Sequence, residues 1–498
     1  MDWRDQRIAE LEATVARKSA ELKAAVAVGN ARINELEAEL AAKDERLDKL
    51  ERLVAELSRR LDENSGNSHR PPSSDGPGAR GKRKTKNKDK KRSKTNARRK
   101  QGAQRGHRGH HRGLLPPEQV DHVADHFPAE CDDCGADLPK KEDPEPLRIQ
   151  TTEVPPIRSE VTEDRYHVVT CDCGCSSRAK PVSTSAFGPR LMALITLFTG
   201  VYHLSRRRTV AMLGDVLGVT ISVGAVSAME SRASEAMKPA ADEAWDVVEQ
   251  ARVKHADATT WLHKGATRQL WVLASSLATV FRIVVDGSAA TIRPFFGACK
   301  GILVSDRATV FVSLWKMKLR QICWSHLLRK FVSFSERDGP AKQVGNELLE
   351  LTGLLFDYWH AYKDGKLSKK KLLEWMAPVR KQMEARLQRA VDAGIEHVSG
   401  SCADILAHRQ ALWTFLSRDD VEPTNNHAEQ EIRDFVLWRK RCFGAQSERG
   451  HRYAERVMTV AHTARKQNKN AFSFLTACCE AHLTNAASPS LFAAELAA

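Results

Sequence analysis

The sequence predicts a multidomain α+β protein, and three observations carry that reading. Apolar residues recur every seven positions through the first sixty residues, the spacing of a helix that buries one seam against a partner helix. Short runs rich in Val, Ile and Trp alternate with turn signals between residues 250 and 330, the pattern of a sheet. The chain has 498 residues, more than one core sustains, since single cores stop growing near ~250–300 residues.

Residues 1–62 read as one long helix. Ile33, Leu40, Leu47, Val54 and Leu61 are spaced by seven, and Leu36, Leu50 and Leu57 fill the second seam position. Ile8, Leu11, Val15 and Leu22 follow the same rule upstream. This predicts a coiled coil, and with it self-association of at least two chains.

Residues 63–118 lose all periodicity and are rich in Pro, Gly, Ser, Asn, Lys and Arg. Such a composition cannot bury enough apolar surface to order itself. The net charge is +15, and between Arg80 and Arg112 there are 16 Lys or Arg and one acid. The positive charge therefore sits in this linker. It predicts contacts to DNA phosphates from Lys82, Arg83, Lys84, Lys90, Lys91, Arg92, Arg98, Arg99 and Lys100, contacts that give affinity rather than sequence choice. No apolar run reaches the ~18 residues of a membrane span, and the charged start of the chain is unlike a signal peptide. The expected location is the cytoplasm, on the nucleoid.

Residues 119–185 hold Cys131 and Cys134, then Cys171, Cys173 and Cys175. Two cysteine pairs about 40 residues apart suit a zinc-ribbon-like module, where tetrahedral thiolates replace a missing core. Cys131, Cys134, Cys171 and Cys173 are the favoured ligands, with Cys175 as substitute for Cys173. Residues 186–248 read as helices, near Arg190–Leu204, Ser205–Leu217 and Ser222–Met237, with a turn at Gly218. A glycine turn between two helices suits a helix-turn-helix and equally a purely structural pair.

Residues 249–330 change character. RVKHADA, QLWVLAS, TVFRIVV and GILVSDR read as four strands, RQICW as a fifth, with a helix near Ser288–Ala298 before the fourth. Residues 331–420 read as an all-helical insertion, with Leu348, Leu351, Leu354, Leu355 and Tyr358 on one face. Another helix follows Pro423 and completes the sheet domain over 421–448, and residues 449–498 read as a C-terminal helical region.

Three acids stand out against this frame. Asp257 and Asp306 each close an apolar run, 49 residues apart, and Glu429 lies on the later helix. Two strands, a strand–helix return and a fourth strand fit within 49 residues. That order sets the first and fourth strands side by side, the ribonuclease H-like arrangement. Three carboxylates at one point need a cation to coexist. Oxygen-only ligation suits two Mg²⁺ ions, or Mn²⁺ in their place.

The text around these acids carries a resemblance. HADATTW, GILVSDR, CWSHLLRKF, NNHAEQEIRDFVLWRKRCFG, the linker entry NSGNSHRPPSSDG and the later GAQRGHRGH are similar to the insertion sequence 66 family of bacterial DDE transposases. The resemblance runs over nearly the whole chain. It implies that Asp257, Asp306 and Glu429 are the catalytic, metal-binding triad. Cys323 and His326 match a C-x-x-H element that shapes the site. Arg433, Arg439 and Lys440 beside the glutamate are candidates for contacting DNA. The implied activity is metal-dependent cleavage at terminal inverted repeats and strand transfer into target double-stranded DNA, with accessory proteins of the same element as partners. The alternative is a catalytically decayed, DNA-binding regulator of that element.

Overall fold

The computed structural model describes residues 3–61, 113–180 and 185–493. The linker cations from Lys82 to Lys100 lie outside the described residues. The protein is mixed α+β and divides into two compact units, Met1–Lys82 with Cys323–Ser417, and Arg83–Ile322 with Arg418–Ala498. None of the described helices is long and apolar enough to cross a membrane.

Helix α1 (Trp3–Leu61) is continuous over 59 residues. Its heptad residues, including Ile33, Leu40, Leu47 and Leu57, are exposed. A two-stranded antiparallel hairpin, β1 (Val168–Thr170) with β2 (Ser176–Arg178), follows in the cysteine-bearing segment. Four helices come next: α2 (Pro189–Thr196), α3 (Arg206–Leu217), α4 (Val223–Ala236) and α5 (Lys238–Gln250). Gly218 ends α3 in the left-handed conformation (φ 65°), and Ser222 caps α4 by accepting from the Ala225 amide. The sequence pattern ran α2 on to Leu204. The backbone instead widens into a π-helical turn over Leu197–Val201. A side chain at Gly200 would meet Val457 at 2.6 Å, so the turn lies hard against a later helix.

The sheet has five strands: β3 (Val253–His263), β4 (Ala266–Ala274), β5 (Thr279–Val284), β6 (Ile302–Ser305) and β7 (Arg320–Ile322). Their order across the sheet is β5-β4-β3-β6-β7. The first three form antiparallel hairpins, while β6 runs parallel to β3 and β7 parallel to β6. Helix α6 (Ala289–Phe296), capped by Ser288, makes the crossover from β5 to β6, and the short α7 (Val310–Leu314) leads from β6 towards β7. Gly301 lets β6 enter beside β3. At φ 90° it would place a Cβ 2.3 Å from the Arg252 carbonyl oxygen, and the Ile302 amide donates to that same oxygen at 2.8 Å. The buried Lys254 ammonium donates to the Ala251 and Lys300 carbonyls on either side.

Residues 323–417 form helices α8 (Trp324–Ser335), α9 (Pro340–Lys363), α10 (Lys369–Asp392), α11 (Ser399–Ala407), α12 (Arg409–Leu412) and α13 (Thr414–Ser417). The buried stripe of α9 is Ala341, Gly345, Leu348, Leu351, Thr352, Leu355 and Trp359. Leu354, expected on that face, is exposed. Trp359, four residues beyond Leu355, holds the buried position one turn on.

Helices α14 (Asn426–Cys442), α15 (Glu448–Lys466) and α16 (Ala471–Thr484) return to the sheet-bearing unit. Ala428, Ile432, Phe435 and Trp438 make the buried face of α14. Phe435 meets Trp261 of β3 and Phe281 of β5, with ring centroids 5.4 and 4.8 Å apart. Helix α15 covers the free edge of β5. Glu455, Thr459 and Thr463 accept from the amides of Ile283, Phe281 and Thr279 at 2.6, 3.2 and 3.1 Å. Four helical residues rise about 6 Å and two strand residues about 6.7 Å, so one helix face matches alternate amides of the strand. An edge that would otherwise invite another strand is closed this way. Replacing Thr459 with Val keeps the shape and strands the buried Phe281 amide. We expect a loss of about 1–3 kcal/mol by denaturant unfolding, whereas Thr484→Val on the exposed end of α16 should change little.

Candidate active site

The parallel pairing fixes where the first two acids stand. Val253 faces Ile302, Lys254 faces Leu303 and His255 faces Val304, an offset of 49 residues. The same offset relates Asp257 to Asp306. Asp306 follows β6 by one residue, and Asp257 lies two residues beyond the last β3 position paired with β6, His255. Alternation along β3 puts His255, Asp257, Thr259 and Trp261 on one face. Helix α14 covers that face, because His255, Thr259 and Trp261 all contact it.

Glu429 stands in the first turn of α14. The residue before that helix, Asn425, is fully buried. Its side-chain amide donates to the Ala256 carbonyl at 2.7 Å, and its Oδ1 lies 3.2 Å from His255 Nδ1. The start of α14 is thereby tied to the two residues that precede Asp257. Farther along, Arg439 donates to the Thr260 carbonyl and to the Thr259 and Thr260 hydroxyls. Its bonds run to β3, which makes it a tether of α14. Arg433 and Lys440 are exposed on the same helix.

Asp257, Asp306 and Glu429 are each half-buried. Asp257 Oδ1 accepts from the Ala258 amide at 2.8 Å, and Asp306 Oδ1 accepts from the Ala308 amide at 2.9 Å. Arg320, fully buried on β7, donates to the Asp306 carbonyl at 3.0 Å and lies over the Phe311 ring. It holds the turn that presents Asp306. Among the described residues these three carboxylates do not all lie within 4.8 Å of one another; as oxygen donors they are of the kind that a hard divalent cation prefers.

A buried polar chain backs this face. Lys466 of α15 donates to Glu431 at 3.0 Å, to His427 Nε2 at 2.7 Å and to the Ser275 carbonyl at 2.7 Å. His427 stacks on His255 with centroids 5.0 Å apart. Burial pushes the Glu431 carboxyl up, but His462 and Lys466 outweigh it and hold the group down at about 2. His462 is raised: burial opposes its charge, and Asp434 and Glu431 favour it. Burial, helped by His427 and Lys466, lowers His255 to about 4.

The cysteines form two tight turns. The Gly135 amide donates to the Cys131 carbonyl at 2.9 Å, and the Gly174 amide to the Cys171 carbonyl at 2.8 Å, with both glycines at positive φ. Backbone amides of Cys134 and Asp133 hold the Cys131 thiol below its usual range, and the Cys175 amide chiefly does so for Cys173. Among the described residues, no three of these five thiols gather within 4.8 Å of one another. Cys323 is buried at the start of α8, with His326 half-buried in that helix's first turn.

A comparison with protein families matches residues 184–453 to the one described as Transposase IS66 family. The chain belongs to the IS66 transposase family. That match spans the helices from α2, the whole sheet, helices α8–α13 and α14, with Asp257, Asp306 and Glu429 inside it. Residues 2–113 match a family of unknown function (DUF6444), and no curated protein matches the chain. Membership identifies an enzyme of DNA cleavage and transfer, and it implies use of a divalent metal.

Sequence reading missed Asn425 as a buried tether, Arg320 as the support of Asp306, and the polar chain behind His255. Arg320 carried a visible signal, an arginine opening an apolar strand. Asn425 carried none, since its partners are 169 and 170 residues away.

His203 supplies a pH test of how α14 is held. Its ring stacks on Trp438 at 4.8 Å, and burial lowers it to about 4 from an ordinary 6.5. The unfolded chain therefore binds this proton more tightly, and stability is lost as pH falls from 6.5 to 4. Allowing for partial exposure, the loss should be roughly 1–3 kcal/mol. His203→Asn, which tolerates the left-handed backbone there (φ 58°), should flatten that limb in unfolding curves measured with chelator present.

Proposed function

We propose that this protein is a DDE transposase that cuts DNA at the ends of an insertion sequence and joins them to a target through Asp257, Asp306 and Glu429. The observation that supports the reading is the 49-residue register of β3 and β6, the same interval that separates the two aspartates, with the helix of Glu429 tied to β3 through Asn425. The strand order β5-β4-β3-β6-β7, with hairpins first and parallel strands after, supports a ribonuclease H-like catalytic core with residues 323–417 as its insertion.

The three carboxylates would hold two Mg²⁺ or Mn²⁺ ions. When bound, such ions neutralise phosphate charge and make water a nucleophile near neutral pH. The chain's own part is positioning. Asn425 and Arg439 fix α14 against β3, and Arg320 fixes the turn carrying Asp306. The half-buried site limits water around the scissile phosphate, which strengthens the pull of charged groups there. The released 3′-hydroxyl then attacks target DNA in line, a step that asks chiefly for alignment and charge neutralisation.

Binding is divided among other segments. The basic block between residues 80 and 112 supplies phosphate affinity, and Arg433 and Lys440 add contacts beside the site. The glycine turn between α3 and α4 suits a helix-turn-helix that reads terminal repeats, and the cysteine turns suit a zinc-dependent module. The exposed heptad seam of α1 suits pairing of two chains, as a two-ended reaction requires. Such a protein works on the nucleoid, with accessory proteins of its element.

Asp257→Asn, Asp306→Asn and Glu429→Gln should each reduce Mg²⁺-dependent nicking of labelled element ends by about a hundred- to a thousandfold, the scale of losing one transition-state charge stabiliser. Binding of the same DNA should persist. Undiminished nicking by any of the three would overturn the assignment. Binding by the wild-type chain should weaken with salt at about −0.9 log units per phosphate neutralised, and neutralising the lysines and arginines of residues 80–112 should flatten that slope.

A further inference from the structure

We propose a second metal site, a zinc site formed by His263, Glu448 and His451, that clips the β3–β4 hairpin to the start of α15. It goes beyond the catalytic reading and does not depend on it. The ring nitrogens of His263 and His451 and a carboxylate oxygen of Glu448 all lie within 4.8 Å of one another. His263 Nδ1 and His451 Nε2 are 3.3 Å apart, with the rings tilted by 58°. Two nitrogens bound to one tetrahedral zinc at ~2.05 Å are themselves about 3.3 Å apart. The pair therefore stands at the separation a shared ion requires. Glu448 Oε2 is 3.4 Å from His451 Nδ1. The glutamate is exposed in the first turn of α15, free to swing its carboxylate onto the ion as third ligand, and water completes the set.

The backbone holds these groups together. The Ala445 amide donates to the Leu262 carbonyl at 2.9 Å, and the Lys264 amide donates to the Ala445 carbonyl at 3.3 Å. This zips the loop after α14 along the end of β3. The close approach needs Gly444, where a Cβ would lie 2.0 Å from the Leu262 oxygen. Lys264 and Gly265 turn the hairpin at positive φ and fix His263 at its tip. His451 is buried, so its ring has little freedom to leave.

Two imidazoles and one carboxylate select zinc over the oxygen-seeking Mg²⁺. The site lies six residues beyond Asp257 on β3, about 20 Å along the strand, so it is separate from the triad. Its effect is mechanical: it pins the loop after α14, and through it the helix that carries Glu429.

The test counts zinc in the purified full-length chain after dialysis, for wild type, His263→Ala and Glu448→Gln, without reference to DNA cleavage. The cysteine turns are intact in all three, so only the difference matters. His263→Ala should hold one zinc fewer per chain, and Glu448→Gln should bind that zinc at least about tenfold more weakly. In chelator all three should melt alike, and zinc should raise the melting temperature of wild type more than that of His263→Ala. If His263→Ala is destabilised in chelator, the exposed Glu448→Gln decides. Equal zinc counts and equal zinc-dependent melting shifts in all three proteins would overturn the site and leave a plain histidine–histidine contact.

Discussion

The parallel pairing of β3 with β6 is the constraint on which the candidate active site depends. The ladder's offset is 49 residues, the interval that also separates Asp257 from Asp306. Side chains alternate faces along a strand, so a slip of one residue would send one aspartate to the opposite side of the sheet. Two features resist such a slip. Gly301 packs against the Arg252 carbonyl with no space for a side chain, and Lys254 ties both strand entrances together through backbone oxygens. A buried ammonium is costly unless its protons are satisfied, so this lysine specifies one arrangement over its neighbours.

The third acid is placed by a different device. Glu429 lies on a helix separated from β7 by the whole of α8–α13. Chain connectivity cannot fix its position after so long an excursion. Direct bonds do: Asn425 to Ala256 and His255 at one end, Arg439 to Thr259 and Thr260 at the other, and Phe435 and Trp438 against Trp261 between them. Behind α14, the Lys466–Glu431–His462 group joins it to α15, the helix that also closes the β5 edge. Helix α14 is thus braced from two sides, by β3 and by α15.

Much of this was legible in the sequence, because local signals specified it. The apolar runs marked the five strands, Ser288 and Ser222 marked helix starts, and Gly218 marked a helix end. The 49-residue interval between Asp257 and Asp306 was legible as a number, and the β3–β6 ladder has the same offset. What was hidden depends on residues far apart in the chain. The π turn at Leu197–Val201 packs against Val457, and the role of Asn425 follows from partners about 170 residues upstream. The capping of β5 by Glu455, Thr459 and Thr463 reads in sequence as ordinary polar spacing on a helix. Leu354 was placed on the wrong face because its neighbours Leu351 and Leu355 flank it so closely that leucine alone does not define the stripe.

The central claim is that three carboxylates meet at one divalent-metal site, and it can be tested apart from DNA cleavage. Fe²⁺ placed at such a site generates hydroxyl radicals with ascorbate and peroxide, which cut the polypeptide beside the bound ion. The account predicts cuts near Asp257, Asp306 and Glu429 together, suppressed by excess Mg²⁺ and lost in Asp257→Asn. Cutting near only one of the three, or at all three but indifferent to Mg²⁺, would contradict it.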